Sequence, residues 1–212
     1  MCLTMPLTKR DKEIIANINK FRVMDRDSIA ELHFANLKQP VTAANAVLLR
    51  LLRDGHIQRS TAFVPYVYFS ADNRVKKNSA KISHWLAILD VYKQMRRHGA
   101  VQSFTVEPKL GAKGGVEPDI LATFRKTPFY IEVQRSQYSE KVMNAKLKRY
   151  IERYSLQPFR HLIIITDIQY KIPKDLPFRV FQASSFDDFM SLFNSKTSIS
   201  ISSSDGIKVV VR

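Results

Sequence analysis

The chain has 212 residues, 45% of them hydrophobic, which is enough apolar content for a packed core and excludes global disorder. Its 34 Lys and Arg against 19 Asp and Glu give a formal net charge of +15, a balance that favours polyanionic partners such as phosphate backbones. The single cysteine, Cys2, excludes intramolecular disulfides and cysteine-rich zinc sites. No apolar run reaches the length of a membrane span and no apolar signal core follows Met1, so a cytoplasmic setting without membrane contact is expected.

Two parts are expected, over residues 1–75 and 76–212. The first carries 11 Lys and Arg against 7 Asp and Glu, the second 23 against 12, so most of the basic excess lies in the second. In the first part, Thr8 caps an amphipathic helix that carries Ile14, Ile15 and Ile18. Asp25 or Asp27 caps the next helix, over residues 28–34. Pro40 marks a break. A third helix runs from about Thr42 to Asp54, with Val47, Leu48, Leu51 and Leu52 at helical spacing, and Gly55 ends it. Two strand-like stretches follow, at 57–60 and 66–69.

Three short helices followed by a hairpin are similar to a winged helix-turn-helix. Residues 51–57, Leu-Leu-Arg-Asp-Gly-His-Ile, resemble the junction between the third helix and the wing of many bacterial regulators. That resemblance implies binding to double-stranded DNA, with the third helix in the major groove. Its exposed face is expected to include Thr42, Asn45, Arg50 and Arg53, since Asn can read adenine and Arg can read guanine or hold phosphate. Arg59 in the hairpin is a further candidate contact. Winged-helix proteins often dimerise, so a homodimer is allowed for. His33 and His56 are expected to be structural.

A polar stretch over residues 72–78 links the parts. A long helix is expected from Ser79 to His98, then strands at 101–106, 116–124 and 129–133. A basic helix spans Ser139 to about Tyr154. The apolar run Leu162-Ile163-Ile164-Ile165 reads as a buried central strand. Another strand follows at 178–181, then a short helix over 186–193 and a last strand at 207–211.

Two acidic clusters interrupt these apolar runs: Glu117-Pro118-Asp119 before one strand and Glu132-Val133-Gln134 closing the next. Acids set among buried strands are costly unless compensated. Asp119 and Glu132 on neighbouring strands can converge on one divalent cation, and Gln134, two residues on, points the same way as Glu132. Asp90, or failing it Glu107, can add a carboxylate. Oxygen donors of this kind suit Mg²⁺, or Mn²⁺, which keeps several waters and can activate one of them.

The order α-β-β-β-α-β, with acids at these places, resembles the PD-(D/E)xK nuclease fold, so the chain is expected to be α+β, a winged helix followed by a nuclease-like domain. In that pattern Asp119, Glu132 and Gln134 occupy catalytic positions. The usual final Lys is replaced by Gln134, which supplies no charge; Lys141 or Lys146 from the next helix can substitute. Arg135, Lys141, Lys148 and Arg149 are candidate DNA contacts around that helix.

A narrower resemblance rests on His84-Trp85-Leu86-Ala87-Ile88-Leu89-Asp90-Val91, on Pro118-Asp119 with Glu132-Val133-Gln134-Arg135, and on Lys146-Leu147-Lys148-Arg149-Tyr150. These are similar to the replication-relaxation family of plasmids, integrative elements and phages, over most of residues 8–182. The resemblance implies metal ligation by Asp119 and Glu132, with Lys146 and Tyr150 near the substrate phosphate. It also implies a role in replication, relaxation or mobilisation of a mobile element. Cleavage or nicking of DNA is the leading expectation, and a non-cleaving replication factor or transcriptional regulator the alternative.

Overall fold

A computed structural model describes residues 6–111 and 115–197, and side chains as far as residue 192. The expected last strand at 207–211 lies outside them. The protein is mixed α+β: six helices and two sheets among the described residues.

Helix α1 (Lys9–Phe21) begins where Thr8 closes a capping box with Asp11: the Asp11 N–H donates to Thr8 Oγ1 (3.2 Å) and the Thr8 N–H to Asp11 Oδ2 (2.8 Å). A two-residue strand β1 (Met24–Asp25) follows, and Asp25 then caps α2 (Arg26–Phe34). Helix α3 (Pro40–Arg53) starts at Pro40. The expected break is instead a helix start, because proline's fixed φ suits the first helical turn and its missing N–H is not needed there. Gly55, at φ +77°, supplies the left-handed turn after α3. Strands β2 (Ile57–Ser60) and β3 (Val67–Ser70) pair antiparallel, and β1 adds to the other side of β3.

The long helix α4 (Lys81–His98) leads into a five-stranded sheet of order β4-β5-β6-β7-β8. Strands β4 (Val101–Val106), β5 (Ile120–Phe124) and β6 (Thr127–Val133) form an antiparallel meander. Helix α5 (Glu140–Leu156), capped by Ser139, then crosses over so that β7 (His161–Ile165) runs parallel to β6. Strand β8 (Arg179–Ala183) is parallel to β7, and α6 (Phe186–Thr197) follows. Two hydrophobic clusters lie among the described residues. One, under α5, gathers Tyr130, Met143, Leu147, Tyr150, Leu162 and Ile164. The other lies on the α4 and α6 face and continues without interruption into the three N-terminal helices. Among the described residues no helix is long and apolar enough to cross a membrane.

Aromatic rings make the joint between the two sheets. Phe21 of α1, Tyr92 of α4 and Phe104 of β4 lie with centroids 5.0 to 5.8 Å apart, and the Lys20 ammonium sits 4.7 Å from the Tyr92 centroid. Glu31 of α2 pairs with Lys93 at 3.1 Å and Arg97 at 3.7 Å, both on α4. Removing the Phe21 ring should therefore weaken both halves together. Phe21→Ala is expected to cost about 3–5 kcal/mol of unfolding free energy in a single transition. Two separate calorimetric transitions, only one of them shifted, would contradict this.

Candidate functional site

The site is built at one edge of the five-stranded sheet. Because β5 is antiparallel to β6, with Ile120 opposite Ile131, the entrance to β5 lies beside the exit of β6. This brings Asp119 and Glu132 together. Asp119 Oδ2 accepts the Val133 N–H at 2.7 Å, which ties the carboxylate to the end of β6. Its Oδ1 lies 3.0 Å from His84 Nε2 on α4. From the other face, α5 delivers two groups to Glu132: Lys146 Nζ at 2.5 Å from Oε2, and the Tyr150 hydroxyl, which donates to Oε1 at 2.6 Å. The spacing of Lys146 and Tyr150, four residues on one helix face, lets both reach one carboxylate.

Electrostatics differ between the two acids. Glu132 is 2% exposed. Burial pushes its carboxyl up to about 7; Lys146 pulls it down, Asp119 pushes it up again, and the bonds from Lys146 and Tyr150 do not restore its ordinary value. Burial acts the same way on Asp119, but the His84 bond, the Val133 N–H and the Lys146 charge outweigh it and hold that carboxyl below its ordinary range. His84 is raised, chiefly by its bond to Asp119, so its imidazolium persists to higher pH than a free one. The Tyr150 hydroxyl is raised well above its ordinary value by burial and by Glu132. Side-chain exposures of 19% for Asp119, 28% for His84 and 21% for Lys146 make these three the solvent-facing rim over the buried Glu132.

Several expected residues fall elsewhere. Asp90, expected to add a carboxylate, has partners of its own on α4. Six residues beyond His84, it sits on another face of α4, where Gln94 donates to it at 2.6 Å and Lys93 lies at 3.6 Å. Among the described residues no group of three or more His, Cys, Asp and Glu is arranged to hold a metal. Tyr150 is fully buried under α5, so it supports Glu132 and cannot touch a phosphate in this arrangement. Arg50 does not belong to the exposed face of α3. Its guanidinium donates to the buried Asp11 carboxylate at 2.7 Å, and burial of that acid without a partner would be costly. Gln134 shares the sheet face of Glu132 as expected; its amide donates to the Ser136 carbonyl (2.9 Å) and to the Tyr170 hydroxyl.

Thr42, Asn45 and Arg53 are exposed on the outer face of α3, with Leu49 between them at 64% exposure. Arg59 stacks on Tyr66, 4.8 Å from the ring centroid. Arg135, Lys141, Lys148 and Arg149 are exposed around α5. His33 and His56 are both partly buried, and His33 bonds Asn17 at 3.1 Å. A cavity of about 430 Å³ opens beside the acids between α4 and the strand ends, lined by Ser83, Ala87, Asp90, Gln134, Arg135 and Thr166 among others.

Sequence reasoning gave His84 no role of its own; a histidine on the helix that covers a carboxylate edge was the available signal. Tyr170 was also missed. It closes a network in which its hydroxyl receives Gln134 and the Tyr138 N–H at 3.1 Å. Glu107 lies nearer the site than Asp90: its N–H donates to the Asp119 carbonyl at 2.8 Å, and Trp85 Nε1 donates to its carboxylate at 3.2 Å.

The fold and site thus define an α+β protein with two carboxylates, a lysine and a histidine gathered at one sheet edge. No family model matches the chain, and no curated protein matches it. Among solved structures it is similar to the crystal structure of protein VC1899 from Vibrio cholerae, at 13% identity and a TM-score of 0.39, over 88% of this chain. It spans about half (51%) of that protein's length. A likeness of this degree carries no argument about fold or function.

Proposed function

We propose that the protein binds double-stranded DNA through the outer face of α3 and the β2–β3 hairpin, as a winged helix does, and cleaves or nicks a phosphodiester at the Asp119–Glu132 edge. The observation that carries this reading is the meeting of Asp119, Glu132 and Lys146, with Lys146 Nζ 2.5 Å from Glu132 Oε2. The α-β-β-β-α-β order of the second part and the net charge of +15 support a nuclease-like fold working on a polyanion. In this reading Lys146 takes the place that Gln134 leaves without charge.

The donors suit Mg²⁺ or Mn²⁺ in chemistry. Two carboxylates supply hard oxygen donors, and a bound cation would favour their charged forms, drawing Glu132 down from about 7. Their number matches binding shared with substrate phosphate and water better than a closed protein cage. When bound, the cation would supply charge neutralisation and a more acidic water. The chain's own residues do the rest. Asp119 and Glu132 would hold the cation, and Lys146 would offer positive charge to the phosphate oxygens. His84, whose imidazolium Asp119 favours, would give a proton to the departing oxygen.

The test is supercoiled plasmid with Mg²⁺ or Mn²⁺, native protein beside Glu132→Ala. Nicked or linear product from the native protein alone is the expected result. A specific observation also favours a second reading, a non-cleaving DNA-binding regulator: every oxygen of the two carboxylates already has a donor from the chain itself. That reading predicts no product, and a salt-dependent gel shift that both proteins share.

A further inference from the structure

The far edge of the same sheet carries a second feature, about one strand length from the acids. A cleft of about 840 Å³ opens where β7 and β8 begin, between the end of α5 and the loop over residues 172–177. Three cations line it: Arg160, Lys174 and Arg179, all exposed. None of them makes a side-chain hydrogen bond or ion pair among the described residues, and no carboxylate lines the cleft.

Aromatic rings form the wall. Tyr154, Phe159 and Phe181 are half-buried and line the cleft, and Phe159 stacks on Phe178 with centroids 4.6 Å apart. His161 stands at the start of β7 between Phe129 (5.2 Å) and Phe181 (6.1 Å), and its Nδ1 is buried with no hydrogen-bond partner among the described residues. Burial lowers its pKa, the Pro128 backbone raises it in part, and Arg179 and Arg160 lower it further, so the ring gives up its proton more readily than a free imidazole. Unpaired cations beside partly open aromatic faces are the combination that holds a phosphate and stacks a base.

We propose that this cleft is a nucleotide-binding site, taking phosphate on Arg160, Lys174 and Arg179 and a base against the Tyr154–Phe159 wall. It does not depend on the acid site, which lies at the opposite ends of the strands. The same chemistry fits a free nucleotide or one unit of a single strand.

Fluorescence anisotropy with a labelled twelve-residue oligothymidylate tests it. Arg160→Gln combined with Arg179→Gln should weaken binding roughly tenfold or more. It should also make the salt dependence shallower by about 1.4, two phosphate contacts at about 0.7 each. Tyr154→Leu should weaken binding roughly tenfold and leave the salt slope unchanged. A pair of equal charge loss on the connecting segment, Arg74→Gln with Lys77→Gln, sets the contribution of net charge alone. Should the arginine pair fail to fold, Lys174→Gln on the exposed loop carries the test, with a slope change of about 0.7. Displacement by thymidine monophosphate assigns a free nucleotide, and displacement only by unlabelled oligonucleotide assigns a strand. Equal losses from the arginine pair and the connecting-segment pair would overturn the site. So would stronger displacement by a polyglutamate peptide than by either nucleotide probe.

Discussion

Glu132→Gln should leave a protein that gains stability over the native one as pH rises. The native carboxyl is pushed up to about 7 in the fold, against an ordinary value of 4.5. A folded state that holds the proton more tightly than the unfolded chain is favoured below pH 4.5, and it loses that advantage as pH climbs towards 7. Above 7 the loss is complete. Glutamine is never charged, so its melting temperature lacks this contribution. The shift spans about 2.5 pH units, which corresponds to about 3 kcal/mol at full extent. For a chain of this size the variant should gain ~10 °C on the native protein between pH 4.5 and 8. Asp119 has the opposite sign, adding stability above its unfolded pKa, but it is present in both proteins and drops out of the comparison to first order. Melting curves that stay parallel across this range would show that Glu132 is charged at little cost in the fold.

Lys146→Met should be the more damaging change near neutral pH. The methionine keeps the apolar stem of the side chain and removes the ammonium 2.5 Å from Glu132. A buried carboxylate that loses its ionic partner costs about 3–5 kcal/mol. The carboxyl should then take a proton, with its pKa moving higher still, because Lys146 is the strongest influence holding it down. The loss should therefore be greatest at pH 8 and small at pH 5, measured by chemical denaturation at each pH. The Lys146→Met, Glu132→Gln double variant should recover most of it, since no charge remains to be stranded. Failure of that rescue would mean that Lys146 acts through packing against Tyr138, whose ring centroid its Nζ approaches at 5.5 Å. In the proposed nuclease reading, the single variant should also lose cleavage of supercoiled plasmid by a factor of ~100, the size of effect expected from removing one positioned charge at a reacting phosphate.

Local chemistry was readable from the sequence where it is decided within a few residues. Thr8 caps α1, one of the two candidate aspartates, Asp25, caps α2, and Gly55 supplies the positive φ after α3, because a cap needs only its own turn. The apolar run over 162–165 marked a strand buried on both faces. The pair Asp119 and Glu132 was also legible, since acids closing and opening neighbouring strands meet when those strands pair antiparallel.

What could not be read depends on partners far along the chain. Arg50 lies 39 residues from Asp11, and nothing around either predicts their bond. The two-residue β1 is too short for any alternation and exists only because β3 has a free side for it. His84 reaches Asp119 across 35 residues through the docking angle of α4, and the packing of α5 turns Tyr150 inward onto Glu132, where the resemblance implied a place near the substrate phosphate.

The aromatic joint of Phe21, Tyr92 and Phe104 has a geometric consequence. Two bodies on a tether sample many separations, whereas two bodies that share one core have a single one. α3 and the Asp119–Glu132 edge therefore stand at a constant offset, and in the proposed DNA-binding reading that offset would measure a distance along a bound helix as a ruler does.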